Sequence, residues 1–202
     1  SFADRVITKR WALVPVPPQL PLAAAATIPT AFLTAWYSLV HLARLRAGEK
    51  VLIHGAAGGV GLAAIQIAHA LGAEVFATAG AEDKRDFLRL MGVRQVFDSR
   101  TLRFADHILH ATDGAGVDVV LNSLSGEAIA RSLDVLKPFG RFIELGKRDF
   151  FENTRVGLRP FRNNLSYFGV DVDQLMRDQP ALALELLAEV AARFADDSFL
   201  PL

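Results

Sequence analysis

The sequence predicts a protein of the α/β class, in which a doubly wound parallel sheet of six strands carries helices on both faces. Three observations support this prediction. Short apolar segments alternate with helical patterns from Lys50 onward. These segments are apolar on both of their faces, which is typical of buried parallel strands. A turn of small residues separates the first strand from its helix.

The strands and helices follow one another in a regular order. The predicted strands are Lys50–His54, Glu74–Thr78, Gln95–Asp98, Val117–Leu121, Arg141–Leu145 and Ser166–Val170. The predicted helices are Val60–Leu71, Asp83–Met91, Phe104–Ala111, Glu127–Leu136 (closed by Pro138 to Gly140) and the amphipathic Pro180–Phe194. This alternation predicts crossover connections between parallel strands.

Two further helices precede the first strand. They are predicted over Ala23–Thr27 and Ala31–Leu45, with Pro29 near the start of the second, where a missing N–H is tolerated. Residues 1–20 are predicted to be extended chain that belongs to a neighbouring unit. The segment Arg148–Asn164, rich in Arg, Asn and Phe, is the least regular part of the chain.

The composition excludes several classes of function. Twenty-two basic residues balance twenty-two acidic residues, so there is no electrostatic case for nucleic acid or an anionic membrane as a partner. The chain has no cysteine, which excludes disulfides and thiolate catalysis and fits a cytoplasmic location. Its five histidines form no zinc-like pattern, and we expect no metal.

The longest apolar stretch, Leu20–Leu45, is interrupted by Pro21, Pro29, His41 and Arg44. We therefore expect a soluble helix pair and no membrane span. No signal peptide is recognisable at the start of the sequence, and we interpret the chain as a piece of a larger protein.

The turn after the first predicted strand carries the pattern A-x-G-x-x-G, formed by Ala56, Gly58 and Gly61. Small residues allow the backbone to approach a pyrophosphate, and the N-terminus of the following helix offers free N–H groups with a partial positive charge. The strand before the turn and the helix after it give the glycine pattern its proper context. It predicts a Rossmann dinucleotide site at Ala56, Gly58, Gly59, Val60 and Gly61.

The end of the second predicted strand indicates which dinucleotide is bound. An NAD site usually has an acid there, whereas this chain has Thr78-Ala-Gly-Ala81. Lys84 follows shortly, and Ser99 and Arg100 end the neighbouring strand. Cations and free space favour a 2′-phosphate, so we predict NADPH, with Thr78, Lys84, Ser99 and Arg100 as contacts. Lys84 and Arg85 could instead be solvated residues on a helix that also carries acids.

Longer runs of sequence resemble the enoyl reductase domains of modular type I polyketide synthases, within the zinc-independent, quinone-oxidoreductase-like medium-chain dehydrogenases/reductases. The matching runs are Ala25–Tyr37, Leu42–Glu49, the glycine turn, Gly72–Ala79, Ser99-Arg100, Gly116–Glu127 and Gly140–Lys147. The resemblance covers nearly all of residues 1 to 175.

The resemblance implies a reductase that adds hydride to the β-carbon of a 2-enoyl thioester held by an acyl carrier protein. It further implies proton-handling roles for Lys147 and, with a less secure match, for Asp171, because the loop between them differs in length and Val170 replaces the usual Phe. Burial at the end of a strand would lower the pKa of Lys147 toward neutrality. The alternatives are a solvent-facing lysine and a capping aspartate.

The same resemblance implies further cofactor contacts. Thr34 lies in the helix that approaches the cofactor in this family, although helix packing explains it equally well. Asn122 and Ser123 end the fourth predicted strand, where they would pass the nicotinamide ribose or simply form a turn. Leu145 and Gly146, which precede Lys147, are the remaining cofactor contacts that the resemblance implies.

Reductases of this family have two lobes. We expect residues 1–20, with strands within Val6–Val14, to be the remnant of a GroES-like substrate lobe, and residues 21–202 to be the NADPH-binding domain. Flanking synthase domains are expected partners, a homodimer could form through Ser166–Val170 as an edge strand, and turnover by this chain alone should be weak. The alternatives are a free-standing NADPH quinone or enone reductase and a non-catalytic nucleotide-binding or docking module.

Overall fold

The computed structural model describes residue 5, residues 7–8 and residues 13–202. The predicted strands within Val6–Val14 lie largely outside these residues. In chain order the elements are α1 (Leu22–Ala25), α2 (Ile28–Trp36) with a π-helical continuation (Tyr37–Leu42), β1 (Lys50–Ile53), α3 (Gly59–Ala70), β2 (Glu74–Ala79), α4 (Glu82–Leu90), β3 (Gln95–Asp98), α5 (Phe104–Ala111), β4 (Val117–Asn122), α6 (Glu127–Asp134), β5 (Leu136–Glu144), α7 (Arg148–Phe151), a 3₁₀ helix (Arg159–Asn163), β6 (Ser166–Gly169), α8 (Val172–Asp178) and α9 (Pro180–Ala195).

The six strands form one parallel sheet in the order β3-β2-β1-β4-β5-β6. This confirms the predicted doubly wound Rossmann sheet, which has this strand order. The chain leaves β1 toward β2 on one side and later returns to β4 on the other. The carboxyl ends of β1 and β4 therefore border the crevice where folds of this type bind their ligands.

Successive side chains of each strand belong to opposite faces of the sheet. In β1, Val51 and Ile53 join the larger core with α2, α3 and α9, whereas Leu52 joins the smaller core under α5 and α6. Both cores exclude water, and for this reason the strands are apolar along their whole length.

Of the two helices before β1, α2 with its π-helical continuation packs into the larger core, whereas α1 has no buried residue. Leu22–Leu42 is long and apolar enough to cross a membrane by length and composition. In the structure Phe32 is fully buried and packs edge-to-face on Phe194 of α9, with ring centroids 4.8 Å apart. The indole N–H of Trp36 donates to Glu189 of α9 at 2.6 Å. The apolar side chains of α2 thus form contacts within the protein.

The structure differs from the sequence prediction at β5. This strand begins at Leu136 instead of Arg141, and α6 ends earlier than predicted, at Asp134. Proline was taken as a helix stop, but Pro138 lies within the strand, where Phe139 has a φ of 64° and the register with β4 shifts. Such an irregularity lets a strand contain a residue without an N–H.

Three other regions differ from the prediction. The long helix expected over Ala31–Leu45 changes to π-helical geometry at Tyr37 and ends at Leu42. The segment expected to be irregular contains α7 and the 3₁₀ helix. The short helix α8 was not predicted; it begins because Asp171 accepts from the backbone N–H groups of Asp173 and Gln174.

Candidate functional site

The glycine turn leaves β1 at a position that only a small residue can occupy. Gly55 has a φ of 60°, and a β-carbon there would lie 2.8 Å from the hydroxyl oxygen of Ser123. The next N–H, that of Ala56, donates to the carbonyl of Thr78 at 3.0 Å. The turn is thus fixed between the ends of β2 and β4.

Gly61 allows α3 to pack directly on this turn. A β-carbon at Gly61 would lie 2.5 Å from the α-carbon and the carbonyl oxygen of Ala56. Gly58 is the N-cap of α3, and no side chain in the described part of the chain caps this helix. The N-terminus of a twelve-residue helix is therefore open toward the crevice with free N–H groups, the arrangement that binds a pyrophosphate.

The predicted contact Thr78 is fully buried. Its hydroxyl lies 2.8 Å from Nδ1 of His54, and Nε2 of His54 lies 2.9 Å from the hydroxyl of Ser132. Since Ser132 donates to the carbonyl of Ala128, it accepts from Nε2, and Thr78 donates to Nδ1. Burial lowers the pKa of His54 to about 3, so the imidazole is neutral. This network fixes α6 and the turn beneath the site.

The other predicted contacts for the adenosine end of the dinucleotide meet around Gly80. A β-carbon at Gly80 would lie 3.1 Å from Nε of Arg100 and 3.5 Å from the hydroxyl oxygen of Ser99. Arg85, by contrast, donates to the carbonyls of Ala79 and Gly80 and lies 3.6 Å from Asp98. Within the described ranges the guanidinium of Arg100 forms no ion pair, so Arg100 is the cation beside Gly80 that is available to a ligand.

Lys84 lies farther from this cluster, on the exposed side of α4. Its backbone N–H donates to Asp83, as is common in the first turn of a helix. No described contact orients its ammonium group toward Gly80. Lys84 can therefore add to the positive potential of this edge but does not shape it.

The second half of the site consists of the ends of β4, β5 and β6. The register places Asn122 beside Glu144, and Glu144 beside Gly169. The backbone N–H of Leu145 donates to the carbonyl of Asn122 at 2.9 Å. Ser123 is exposed, and its hydroxyl donates to the carbonyl of His54 at 3.2 Å.

Glu144 is a site residue that the sequence prediction missed. It is 1% exposed, accepts from Asn122 at Oε2 and from the N–H of Gly146 at Oε1, both at 2.6 Å. Burial raises the pKa of Glu144 to about 7. The two hydrogen bonds lower this pKa but do not offset the effect of burial, and the charge of nearby Asp149 raises it further. An acid as the last residue of an apolar strand is the signal that could have revealed it.

Lys147 and Asp171 come together as an ion pair. Nζ of Lys147 lies 3.3 Å from Oδ1 of Asp171 and 3.5 Å from Asp173. The expectation that burial lowers the pKa of Lys147 is wrong, because its side chain is 48% exposed and hydrogen bonding to Asp171 raises that pKa. The N–H of Gln174, and then Lys147, lower the pKa of Asp171, which also caps α8.

Thr34 lies on the face of α2 that approaches the turn. A β-carbon at Gly59 would lie 3.8 Å from that of Ala31, one helical turn before Thr34. The hydroxyl of Thr34 donates to the carbonyl of Thr30 at 2.7 Å. The hydroxyl bond of Thr34 is thus internal to α2, and Thr34 shares the helix face of Ala31, which lies against Gly59.

Comparison with known proteins agrees with this geometry. Residues 59–189 match the family described as zinc-binding dehydrogenase. The nucleotide-binding subdomain of the enoyl reductase domain of PpsC from Mycobacterium tuberculosis is 49% identical, with a TM-score of 0.82 over 86% of this chain and 97% of that one. The chain belongs to the zinc-binding dehydrogenases, among the enoyl reductase domains of polyketide synthases.

Longer relatives show where such a domain occurs. The enoyl reductase JamJ is 40% identical, with a TM-score of 0.90 over 98% of this chain and 59% of that one. The mycocerosic acid synthase-like polyketide synthase of Mycobacterium tuberculosis is 53% identical over 175 residues, which are 87% of this chain. The match spans 8% of that relative, which is a multidomain synthase.

The family name implies zinc, but the described residues of this chain do not form a zinc centre. The sequence has no cysteine, and the described part of the chain holds no group of three or more His, Asp or Glu placed to bind a metal. The fold implies a nicotinamide dinucleotide, and the residues fit it. The open N-terminus of α3 suits the pyrophosphate. At Gly55 and Gly61 there is no room for a β-carbon, and the absence of side chains there lets the backbone of the turn approach the ligand closely.

Proposed function

We propose that this enoyl reductase chain binds NADPH and forms one lobe of a domain that reduces the 2,3 double bond of an enoyl thioester carried by an acyl carrier protein. The observation that carries the proposal is the Lys147–Asp171 pair at the same sheet edge as the open glycine turn. The names of the related synthases support the choice of substrate.

The preference for NADPH rests on the surroundings of Gly80. The end of β2 has Thr78, Ala79 and Gly80 in place of an acid. The carboxylate that binds the ribose 2′-hydroxyl in an NAD site, and that would repel a 2′-phosphate, is therefore missing from this strand end. Arg100 and Ser99 approach the same point, and the planar guanidinium of arginine suits a phosphate. Asp98 is held by the N–H of Arg100 and by Arg85, which limits its repulsion of a 2′-phosphate.

When bound, the dinucleotide supplies a hydride for the β-carbon of the substrate. The electrons of the double bond then move to the thioester oxygen as an enolate, and a proton is added at the α-carbon. The ammonium of Lys147 would hydrogen-bond the developing enolate oxygen and provide the proton, and the ion pair with Asp171 supports this role by favouring the charged form of Lys147. Thr34, Asn122, Ser123, Leu145 and Gly146 would contact the nicotinamide half.

The same proposal extends to the arrangement of the whole domain. Residues 1–20 would belong to a GroES-like substrate lobe, residues 21–202 to the NADPH-binding lobe, and flanking synthase domains would supply the carrier protein in the cytoplasm. Among the described residues β6 pairs with β5 alone and so ends the sheet, and a second copy could extend it there into a homodimer. A monomeric mass at high concentration in sedimentation analysis would contradict the dimer.

Calorimetric titration of the chain with NADPH and NADH tests the cofactor assignment. Tight NADPH binding with weak NADH binding is expected, and binding of neither would contradict it. Reduction of enoyl thioesters by the full-length protein tests the reaction, and Lys147→Ala with Asp171→Ala should abolish most of it. Full activity of the double variant would leave a nucleotide-binding module without this chemistry.

A further inference from the structure

Glu144 lies at the centre of the second half of the site and touches every strand end in it. Its side chain accepts from Nδ2 of Asn122 and from the N–H of Gly146, each at 2.6 Å. Its backbone carbonyl accepts from the N–H of Val170 at 2.9 Å. One residue thereby joins the ends of β4 and β5 to the residue before Asp171.

These bonds continue on both sides. Asn122 donates to the carbonyl of Leu124 at 2.7 Å and accepts from its N–H at 3.2 Å, which fixes the orientation of the amide. On the other side, Gly146 directly precedes Lys147, and a β-carbon at Gly146 would lie 2.8 Å from Oε1 of Glu144. The position of Lys147 therefore depends on a loop that is held against Glu144.

The two donors require a group with two acceptors. A carboxylate provides them, whereas a glutamine of the same size offers one acceptor and one donor. If its oxygen faced Gly146, its amide N–H₂ would face that of Asn122. Rotating the side-chain amide of Asn122 would relieve this contact, but it would place the N–H₂ of Asn122 against the backbone N–H of Leu124. One buried donor would be left unpaired in either arrangement, at a cost that exceeds the value of an ordinary hydrogen bond.

We propose that Glu144 is a positioning residue of the reductase, which holds the loop of Lys147 in register with Asn122 and Asp171. The inference rests on the proposed function for its effect on turnover, but its effect on the loop is independent of that function. Glu144 touches neither substrate nor cofactor in this role; it acts through Gly146 and Asn122.

The test compares Glu144→Gln with Glu152→Gln, a matched change at an exposed carboxylate of the neighbouring helix whose partner is Arg148. Hydrogen exchange at the Gly146 amide, followed by NMR on the chain, should accelerate about tenfold in the first variant, because the glutamine either turns its N–H₂ toward Gly146 or presses that N–H₂ against Asn122 and displaces the loop. In the full-length reductase, kcat should fall about 10²-fold, as for a misplaced reacting group. Glu152→Gln should change neither quantity.

Unchanged exchange at Gly146 in folded Glu144→Gln would overturn the proposal, and so would faster exchange with an unchanged kcat. If the wild-type protein reduces no enoyl thioester, the proposed function fails, and the exchange result alone decides the role of Glu144. Glu144→Asp covers the case in which the glutamine variant does not fold. Its shorter carboxylate can still accept from the N–H two residues later, so protection of Gly146 should persist; its loss would overturn the proposal.

Discussion

Replacement of Gly61 by alanine tests the physical basis of the dinucleotide site. The added β-carbon would lie 2.5 Å from the α-carbon and the carbonyl oxygen of Ala56, whereas ordinary contacts begin at 3.4 Å. Both obstructing atoms belong to the backbone, so no side chain can move aside. The first turn of α3 would have to shift by about 1 Å away from the glycine turn, a case of overpacking.

Overpacking of this kind typically costs about 1–3 kcal/mol of the free energy of unfolding. For a chain of this size that corresponds to a fall in Tm of about 2–12 °C. NADPH affinity should fall as well, because the shift moves the N–H groups of the helix N-terminus away from the pyrophosphate. Thermal denaturation followed by circular dichroism and calorimetric titration measure the two effects.

Gly59→Ala is the matched control. A β-carbon at Gly59 would meet only Leu202 at 3.6 Å and Ala31 at 3.8 Å, both ordinary contacts. Its Tm should equal or exceed that of the wild type, because alanine favours a helix over glycine by up to about 1 kcal/mol. If Gly61→Ala unfolded at the wild-type temperature and bound NADPH with wild-type affinity, the packing argument would be refuted.

Three further predictions concern charged residues of the site. Arg100→Ala should weaken NADPH binding about tenfold in calorimetry and leave NADH binding unchanged, since only the 2′-phosphate needs the guanidinium. Asp171→Ala should lower stability in urea denaturation by about 1 kcal/mol through loss of the α8 cap, whereas Asp171→Asn should retain the cap, and both should lower kcat. The pKa of Glu144 is raised from 4.5 to about 7, so the folded protein favours its protonated form. The free energy of unfolding should therefore be highest below pH 4.5 and should fall by about 3 kcal/mol as the pH rises through 7.

The cofactor prediction and the pH prediction each have a control. Lys84→Ala should affect NADPH less than Arg100→Ala, because Lys84 stands away from Gly80, and equal losses would contradict the assignment. The pH effect is read as the difference between the wild type and Glu144→Gln at pH 4.5 and 8. Asp149 and Tyr167, the titratable groups that interact with Glu144, are present in both proteins. This difference also cancels His54, whose lowered pKa stabilises in the opposite direction, above pH 6.5. A pH-independent difference would contradict the prediction.

The alternation of apolar strands with helices was sufficient to predict the sheet, because buried parallel strands need apolar residues on both faces. The third strand and the helix Phe104–Ala111 have the predicted bounds. The glycine turn was also recognisable, because the steric limits that require its small residues arise mainly from residues a few positions away in the chain. Pro138 misled the prediction because a bulge, which depends on the neighbouring strand, accommodates it inside β5.

The sequence by itself determined the fold class, the glycine turn and the missing acid at the end of β2, all of which depend on local spacing and chemistry. Only the tertiary structure decided which charges remain free and which groups are buried. Arg85 is bound to carbonyls at the end of β2, Thr78 is enclosed beside His54, and Lys147 is half-exposed and paired with Asp171. Solvation and pairing depend on residues far apart in the chain, and they set the charge of Lys147 and the pKa of Glu144.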